Sequence, residues 1–333
     1  MSQFRYILER GSKKHICPSC NQKKYVRYID IETNEYIHIK YGRCDREAKC
    51  SYNLNPYNDN SELDIEIKHK PVEEKRVVFF DVETFEKTLE LERYEHNTFL
   101  NNLLSKGIEA EDITIAVELY LLGTISKGYR KGGLTIPFID IDKNIRAVQV
   151  KQFDENNHTT STDFLHSIID RNCIKNNIKT PSWLIDYKKQ DKLVSCLFGE
   201  HLLSDYPNNP IGLVEAPKTA IICSLYFGLP KTENDIIWLA VYNKSSFNYD
   251  KIKVLKDRVV YVFPDLSKDN LTYNEWKDKA KSFSKYIPKT KFYFSYLLED
   301  IAPEEDKEKG LDIADYLLLR DYKIFKEKVL LKM

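Results

Sequence analysis

The stretch from Ile211 to Asp265, opening IGLVEAPKTAIICSLYFGL and closing DRVVYVFPD, limits most what this chain can fold into. A short apolar run, 211–214, delivers a carboxylate, Glu215, and a helical pattern begins at once. About fifty residues later a second apolar run, 259–263, delivers another carboxylate, Asp265. Continuous apolar runs of this length mark strands buried on both faces, the condition of a parallel sheet. Ligands of such sheets bind beyond the carboxyl ends of the strands, so two strand-end acids predict one site.

From residue 211 onward, strands and helices alternate. Strands are expected at 211–215, 236–240, 259–264 and 291–295, with helices at 217–227, 249–256 and 271–286. Pro217 suits a first helical turn, where its missing N–H costs nothing. Lys218 and Thr219 share that turn, where a phosphate could be held. Mg²⁺ or Mn²⁺ takes oxygen ligands and bridges to substrate phosphates, so Glu215 and Asp265 are the candidate ligands and Lys218 a candidate catalytic cation. Asp269 could join them from the following loop. Near the end, KGLDIADYLL supplies Asp312 and Asp315, neighbours on a helix. Asp312 reads either as an N-cap or as a third magnesium ligand, and Asp265 either as a ligand or as a turn residue.

The N-terminal segment has a different constraint. Cys17-x2-Cys20 and Cys44-x5-Cys50 are two close pairs of thiols, the makings of a closed tetrahedral zinc shell, with His15 or His38 as alternative ligands. Between the pairs, 25–31 and 35–41 are rich in β-branched and aromatic residues around Thr33-Asn34, which predicts a hairpin and so a zinc ribbon over 1–56. So short a unit buries little core, and a metal clamp compensates. Lys23, Lys24, Arg27 and Arg43 interleave with Tyr25, Tyr28, Tyr36 and Tyr41, a mixture that suits either single-stranded nucleic acid or a solvated surface.

Residues 57–76 are polar and charged and read as a linker. Beyond it a core segment, 77–206, should contain a helix over 85–104, capped by Asp81 or Thr84, and a second over 110–121 that stops at Gly123. Residues 134–140 and 145–153 read as a hairpin around Asp142-Lys143-Asn144. Residues 160–187 read as mixed helix and loop, with Trp183 in the core or anchoring a lid. LVSCLFGEHLL, 193–203, is an apolar helix or turn.

Lys+Arg and Asp+Glu are both 51, so net charge offers no global signature for nucleic acid, although residues 1–60 carry a local excess of about four positive charges. Four of the seven cysteines lie in the first fifty residues and the others are scattered, which suits a reducing cytoplasm better than a disulfide framework. No run is long and apolar enough to cross a bilayer, and no cleavable leader is evident, so no membrane partner is expected. The P-loop pattern G-x-x-x-x-G-K-[ST] is absent.

The order of these parts resembles bacterial DnaG-type DNA primases. LTIPFIDIDKNIR (134–146) resembles their core hairpin, and YLLGTISKGYRKGG, containing Arg130, the glycine-containing run before it. LVSCLFGEHLL resembles the helix before the toprim glutamate, GLVEAPKTA the glutamate motif, VVYVFPDLS the aspartate pair and KGLDIADYL the closing aspartate motif. The match is closer still to toprim-like proteins of bacterial genomes and mobile elements. The resemblance implies an α+β or α/β chain with a zinc ribbon, a primase-like core and a toprim-like domain over 207–333. It implies DNA replication, structural Zn²⁺, catalytic Mg²⁺ or Mn²⁺, single-stranded DNA or another nucleic acid as partner, Arg130 and Lys218 on phosphates, and a replicative helicase nearby. Three departures stand out: Ala216-Pro217 follows the glutamate, Val241-Tyr242-Asn243 replaces Thr-Gly-Gly, and Ser267 replaces the second aspartate of the pair. They leave two expectations open, nucleotidyl transfer or a non-catalytic nucleic-acid or replisome binder derived from a primase.

Overall fold

In the computed structural model, which describes residues 4–9, 13–33, 35–46, 50–59, 77–189 and 194–330, contacts divide the chain into two units, Met1–Arg76 and Val77–Met333. The expected linker beyond residue 59, Asn34 of the expected turn and Leu193 lie outside the described residues.

The first unit is a four-stranded antiparallel sheet in sequential order: β1 (Tyr6–Leu8), β2 (Tyr25–Asp30), β3 (Gly42–Cys44) and β4 (Asn53–Leu54). The expected hairpin is corrected here. Residues 35–41 form no strand but meet β2 at the bridge Ile29–Tyr36 and through Asp30 N to Glu35 O (2.9 Å), Ile37 N to Tyr28 O (3.2 Å) and Tyr28 N to Tyr41 O (3.3 Å). The strand that pairs with β2 is β3, in the register Tyr25 to Cys44. Two other carbonyls of this segment go to side chains of β2, Ile39 O accepting from Tyr25 Oη (2.9 Å) and Ile37 O from Arg27 Nη2 (2.7 Å). Pairing Cys44 with Tyr25 brings the second cysteine pair beside the first.

The second unit contains two sheets. β5 (Gly123–Thr124), β6 (Leu134–Ile139), β7 (Ile145–Phe153) and β8 (Thr159–Phe164) form an antiparallel meander. Both its faces are covered. Ile136, Phe138 and Ala147 join the main core, while Val148 and Val150 pack with Phe80, Leu184 and Tyr187 in a smaller one. Trp183 packs against this smaller core, 5.0 Å from Phe80 ring to ring. The strand β8, TTSTDF, escaped the sequence reading because it shows no alternating apolar pattern.

The single helix expected over 85–104 is three pieces: Val82–Glu86, a 3-10 turn Leu91–His96 and Thr98–Ser105. Asn97, fully buried, breaks the pattern by capping the last piece while its amide donates to Thr124 Oγ1 (2.8 Å). Asp81 caps the first piece. The next helix, Ala110–Tyr120, ends on Leu121 in the left-handed conformation (φ 51°), and Gly123 lies in β5 rather than at the stop.

The second sheet is wholly parallel, in the order β10 (Ile237–Ala240), β9 (Ile211–Val214), β11 (Val259–Val262), β12 (Lys291–Phe294). β9 and β10 are entirely buried, as their unbroken apolar text requires. The segments expected as separate core and α/β domains share one hydrophobic cluster, and Phe198 bridges directly to Ala240 of β10. From β9 the chain moves to β10 on one side; from β11 it moves to β12 on the other. The crevice between the carboxyl ends of β9 and β11 is therefore a topological switch point, where parallel sheets take ligands.

Candidate functional site

Glu215 and Asp265 flank that crevice. Glu215 is the first residue beyond β9 and is half-buried; Asp265 follows β11 by way of Phe263 and Pro264. Burial pushes the Asp265 carboxyl well above the usual range, and the neighbouring Asp312 and Glu215 push the same way, against Lys218. Its Oδ1 is fully buried and has no hydrogen-bond partner among the described residues. Glu215 is raised chiefly by burial, opposed by the backbone N–H and charge of Lys244 and by Lys151, with Asp312 adding to the rise.

Asp312 arrives from the far end of the chain as the N-cap of the helix Ile313–Leu318, in a reciprocal capping box with Asp315. Its Oδ1 accepts from Asp315 N (3.0 Å) and its Oδ2 from Thr219 Oγ1 (2.6 Å). Lys218, 8% exposed in the first turn of the helix Pro217–Phe227, lies 3.1 Å from Asp315 Oδ1 and 3.7 Å from Asp312 Oδ2. Burial pulls the Lys218 ammonium down, but Asp312 and Asp315 outweigh it and the net shift is upward.

A sixth member was missed from sequence. Lys151 sits on β7 with the same facing as Ala147 and Gln149, turned toward the parallel sheet. Burial and Lys218 lower its ammonium, while Asp312, Asp265 and Glu215 support the charge. A lysine on the same face as Ala147 of an expected strand, AVQVKQF, was the available signal.

The departures noted in the sequence have structural counterparts. Tyr242 takes φ 100°, backbone territory that favours glycine, while its N–H donates to Glu215 O (2.9 Å) and its ring packs on Phe138 (5.7 Å). Ser267 accepts from Thr272 N (2.8 Å) through its hydroxyl at the start of the helix Leu271–Phe283. Asp269 is exposed at φ 54° in the turn Lys268–Asn270 and, among the described residues, makes no ion pair with Lys218 or Lys151.

The four cysteines of the first unit converge. Their sulfurs lie within 4.8 Å of one another, with Cys17 to Cys50 at 3.8 Å and Cys20 to Cys44 at 3.9 Å. Tetrahedral zinc with Zn–S bonds of about 2.3 Å sets its sulfurs about 3.8 Å apart, so the cluster fits structural Zn²⁺. The alternative ligands are otherwise engaged: His15 pairs with Glu9 (2.9 Å), and His38 Nδ1 accepts from Lys40 N (3.3 Å).

Lys23, Lys24 and Arg43 are exposed on this unit. The interleaved rings, however, are not a stacking platform, since Tyr25, Tyr28 and Tyr41 are buried and Tyr36 lies under the Arg27 guanidinium at 4.5 Å. Arg130, in the second unit, ties β7 to β8 through Gln152 Oε1 (2.9 Å) and Ser161 Oγ (2.8 Å).

Fold and sites together define a zinc-ribbon protein with a mixed α/β unit whose parallel sheet carries an acid cluster at its switch point. The chain belongs to the family described as Domain of unknown function (DUF6371), which matches residues 97–266, and a zinc beta-ribbon finger family matches residues 4–64. No curated protein matches it. Among solved structures it is similar to the primase fragment of the bacteriophage T7 primase-helicase (12% identity, TM-score 0.38, 98% of this chain and 99% of that one). It is similar also to a DnaG primase catalytic domain bound to single-stranded DNA (12%, 0.38, 75% and 78%) and to the zinc-binding and RNA polymerase domains of the Aquifex aeolicus primase (12%, 0.35, 98% and 79%). Among the described residues no helix is long and apolar enough to cross a membrane.

Proposed function

We propose that this is a primase-like, toprim-type protein of DNA replication, whose Glu215 and Asp265 hold Mg²⁺ or Mn²⁺ for nucleotidyl transfer on single-stranded DNA. The observation that carries the reading is the buried Oδ1 of Asp265, which has no hydrogen-bond partner among the described residues and whose carboxyl feels the charge of Glu215 at the same switch point. Neighbouring carboxylates drawn partly out of water are relieved by a proton or a cation, and hard divalent ions take such oxygens. The motif resemblance along 134–317 supports phosphoryl chemistry. When bound, the ion supplies positive charge against the phosphates of the transferring nucleotide. Lys151 brings a second positive charge from β7, and Lys218 holds Asp312 and Asp315 in place behind the carboxylates. The four-cysteine ribbon contributes exposed Lys23, Lys24 and Arg43 for the template backbone.

De novo primer synthesis from nucleoside triphosphates on single-stranded DNA with Mg²⁺ or Mn²⁺ tests the reading. Product is expected from the wild type and none from Glu215→Gln; no product from the wild type would sink the catalytic version. A second reading, a non-catalytic nucleic-acid binder, draws on Ser267, whose hydroxyl accepts from Thr272 N where an acid is expected, and on the strained Tyr242. It predicts salt-sensitive single-strand binding, unchanged by Glu215→Gln, without turnover.

A further inference from the structure

The carboxylates around the switch point differ in what their oxygens already do. Asp312 has both oxygens occupied, one by Asp315 N (3.0 Å) and the other by Thr219 Oγ1 (2.6 Å) with Lys218 Nζ at 3.7 Å. Asp315 likewise gives one oxygen to Asp312 N (2.9 Å) and the other to Lys218 (3.1 Å). A metal ion that recruited either would have to undo a helix cap and a buried ion pair. Asp265 Oδ1, by contrast, is buried and has no partner among the described residues.

Charge leads to the same division. Four carboxylates (Glu215, Asp265, Asp312, Asp315) meet three ammoniums (Lys151, Lys218 and, beside Glu215, Lys244), which leaves one negative charge when all are ionised, enough to attract one divalent ion but not two. Lys218 enters from the first turn of the helix Pro217–Phe227 and sits on the Asp312–Asp315 side.

We propose that Lys218 is a built-in cation standing where a second divalent ion would otherwise be drawn, so that the site takes one ion through Glu215 and Asp265 while Asp312 and Asp315 remain a helix cap. This rests on the metal site proposed above and fixes its stoichiometry and ligand set. It also gives the buried lysine a purpose that phosphate contact would not: its ammonium is already shared between two carboxylates.

The test is Mn²⁺ titration of the full-length, zinc-loaded chain, with free Mn²⁺ followed by electron paramagnetic resonance. One Mn²⁺ per chain is expected for the wild type. Asp265→Asn should weaken it more than about thirtyfold, a loss of one ligand and one charge. Asp312→Asn, which keeps a good capping residue, should stay within about fivefold of wild type. Lys218→Met frees Asp315 Oδ1 and removes the cation between the two acids, and should bind a second Mn²⁺ there. Two ions in the wild type, a loss in Asp312→Asn equal to that in Asp265→Asn, or a single ion in folded Lys218→Met would each overturn the inference while leaving the metal site intact. No Mn²⁺ on the wild type would overturn the metal site itself. If Lys218→Met does not fold, judged by tryptophan fluorescence, the wild-type stoichiometry and the two carboxamide variants decide the matter alone.

Discussion

Glu200 offers a quantitative test of the packing that supports the site. The residue is 6% exposed, and its carboxylate accepts from Leu197 N (2.9 Å) and, across to the β6–β7 turn, from Ile141 N (3.2 Å). Burial outweighs these two bonds and, with Asp140 nearby, pushes its pKa from the ordinary 4.5 up to about 7. Between those values the folded protein holds a proton that the unfolded chain has released. Glu200's contribution is therefore fully present below about pH 4.5 and is lost as pH rises through about 7. At 1.36 kcal/mol per pH unit the swing is about 3 kcal/mol. Glu200→Gln cannot ionise and removes it, whatever fixed cost the amide brings. Urea unfolding followed by tryptophan fluorescence reports the right unit, because Trp183, Trp238 and Trp276 all lie beyond residue 77. From pH 4.5 to pH 8 the stability difference between variant and wild type should move about 3 kcal/mol in the variant's favour. A difference that stays constant with pH would refute the reasoning.

Atomic absorption should find one structural zinc per chain, lost in Cys44→Ser, with the tryptophan emission of the second unit unchanged; a shift in that emission would contradict the division into units. A Cβ at Gly212 would meet the Trp238 ring at 2.5–2.7 Å, so Gly212→Ala should cost about 1–3 kcal/mol by overpacking and lower the urea midpoint. If the ribbon's cations meet a single-stranded backbone, changing Lys23 and Lys24 to Gln should flatten the plot of log affinity against log salt by about 1.4. An unchanged slope would remove them from the interface.

Local text carried much of this protein. The unbroken apolar runs of β9 and β11 announced parallel strands and delivered Glu215 and Asp265 at their ends; β9 is buried on both faces, which leaves no polar alternation, while β11 keeps Tyr261 exposed on one. The paired cysteines announced a metal cluster, since few other arrangements explain thiols at that spacing. Asp312 as a cap was legible for the same local reason, its partner Asp315 being one turn away. The broken helix over 82–105 was not, because Asn97 interrupts an acceptable apolar stripe to satisfy Thr124 in another strand.

What remained was decided by pairs far apart in the chain. Lys218 meets Asp315, and Thr219 meets Asp312, across more than ninety residues. Lys151 reaches the acids from a different sheet. The pairing of β3 with β2 follows from where Cys44 must stand rather than from the propensity of residues 35–41. Periodicity and spacing are written within one turn or one strand, so the sequence determined which elements form and which acids end them. Strand order is set by packing over the whole core, so only the tertiary structure made β9 and β11 neighbours at a switch point and put one buried and one half-buried lysine, Lys218 and Lys151, among their carboxylates.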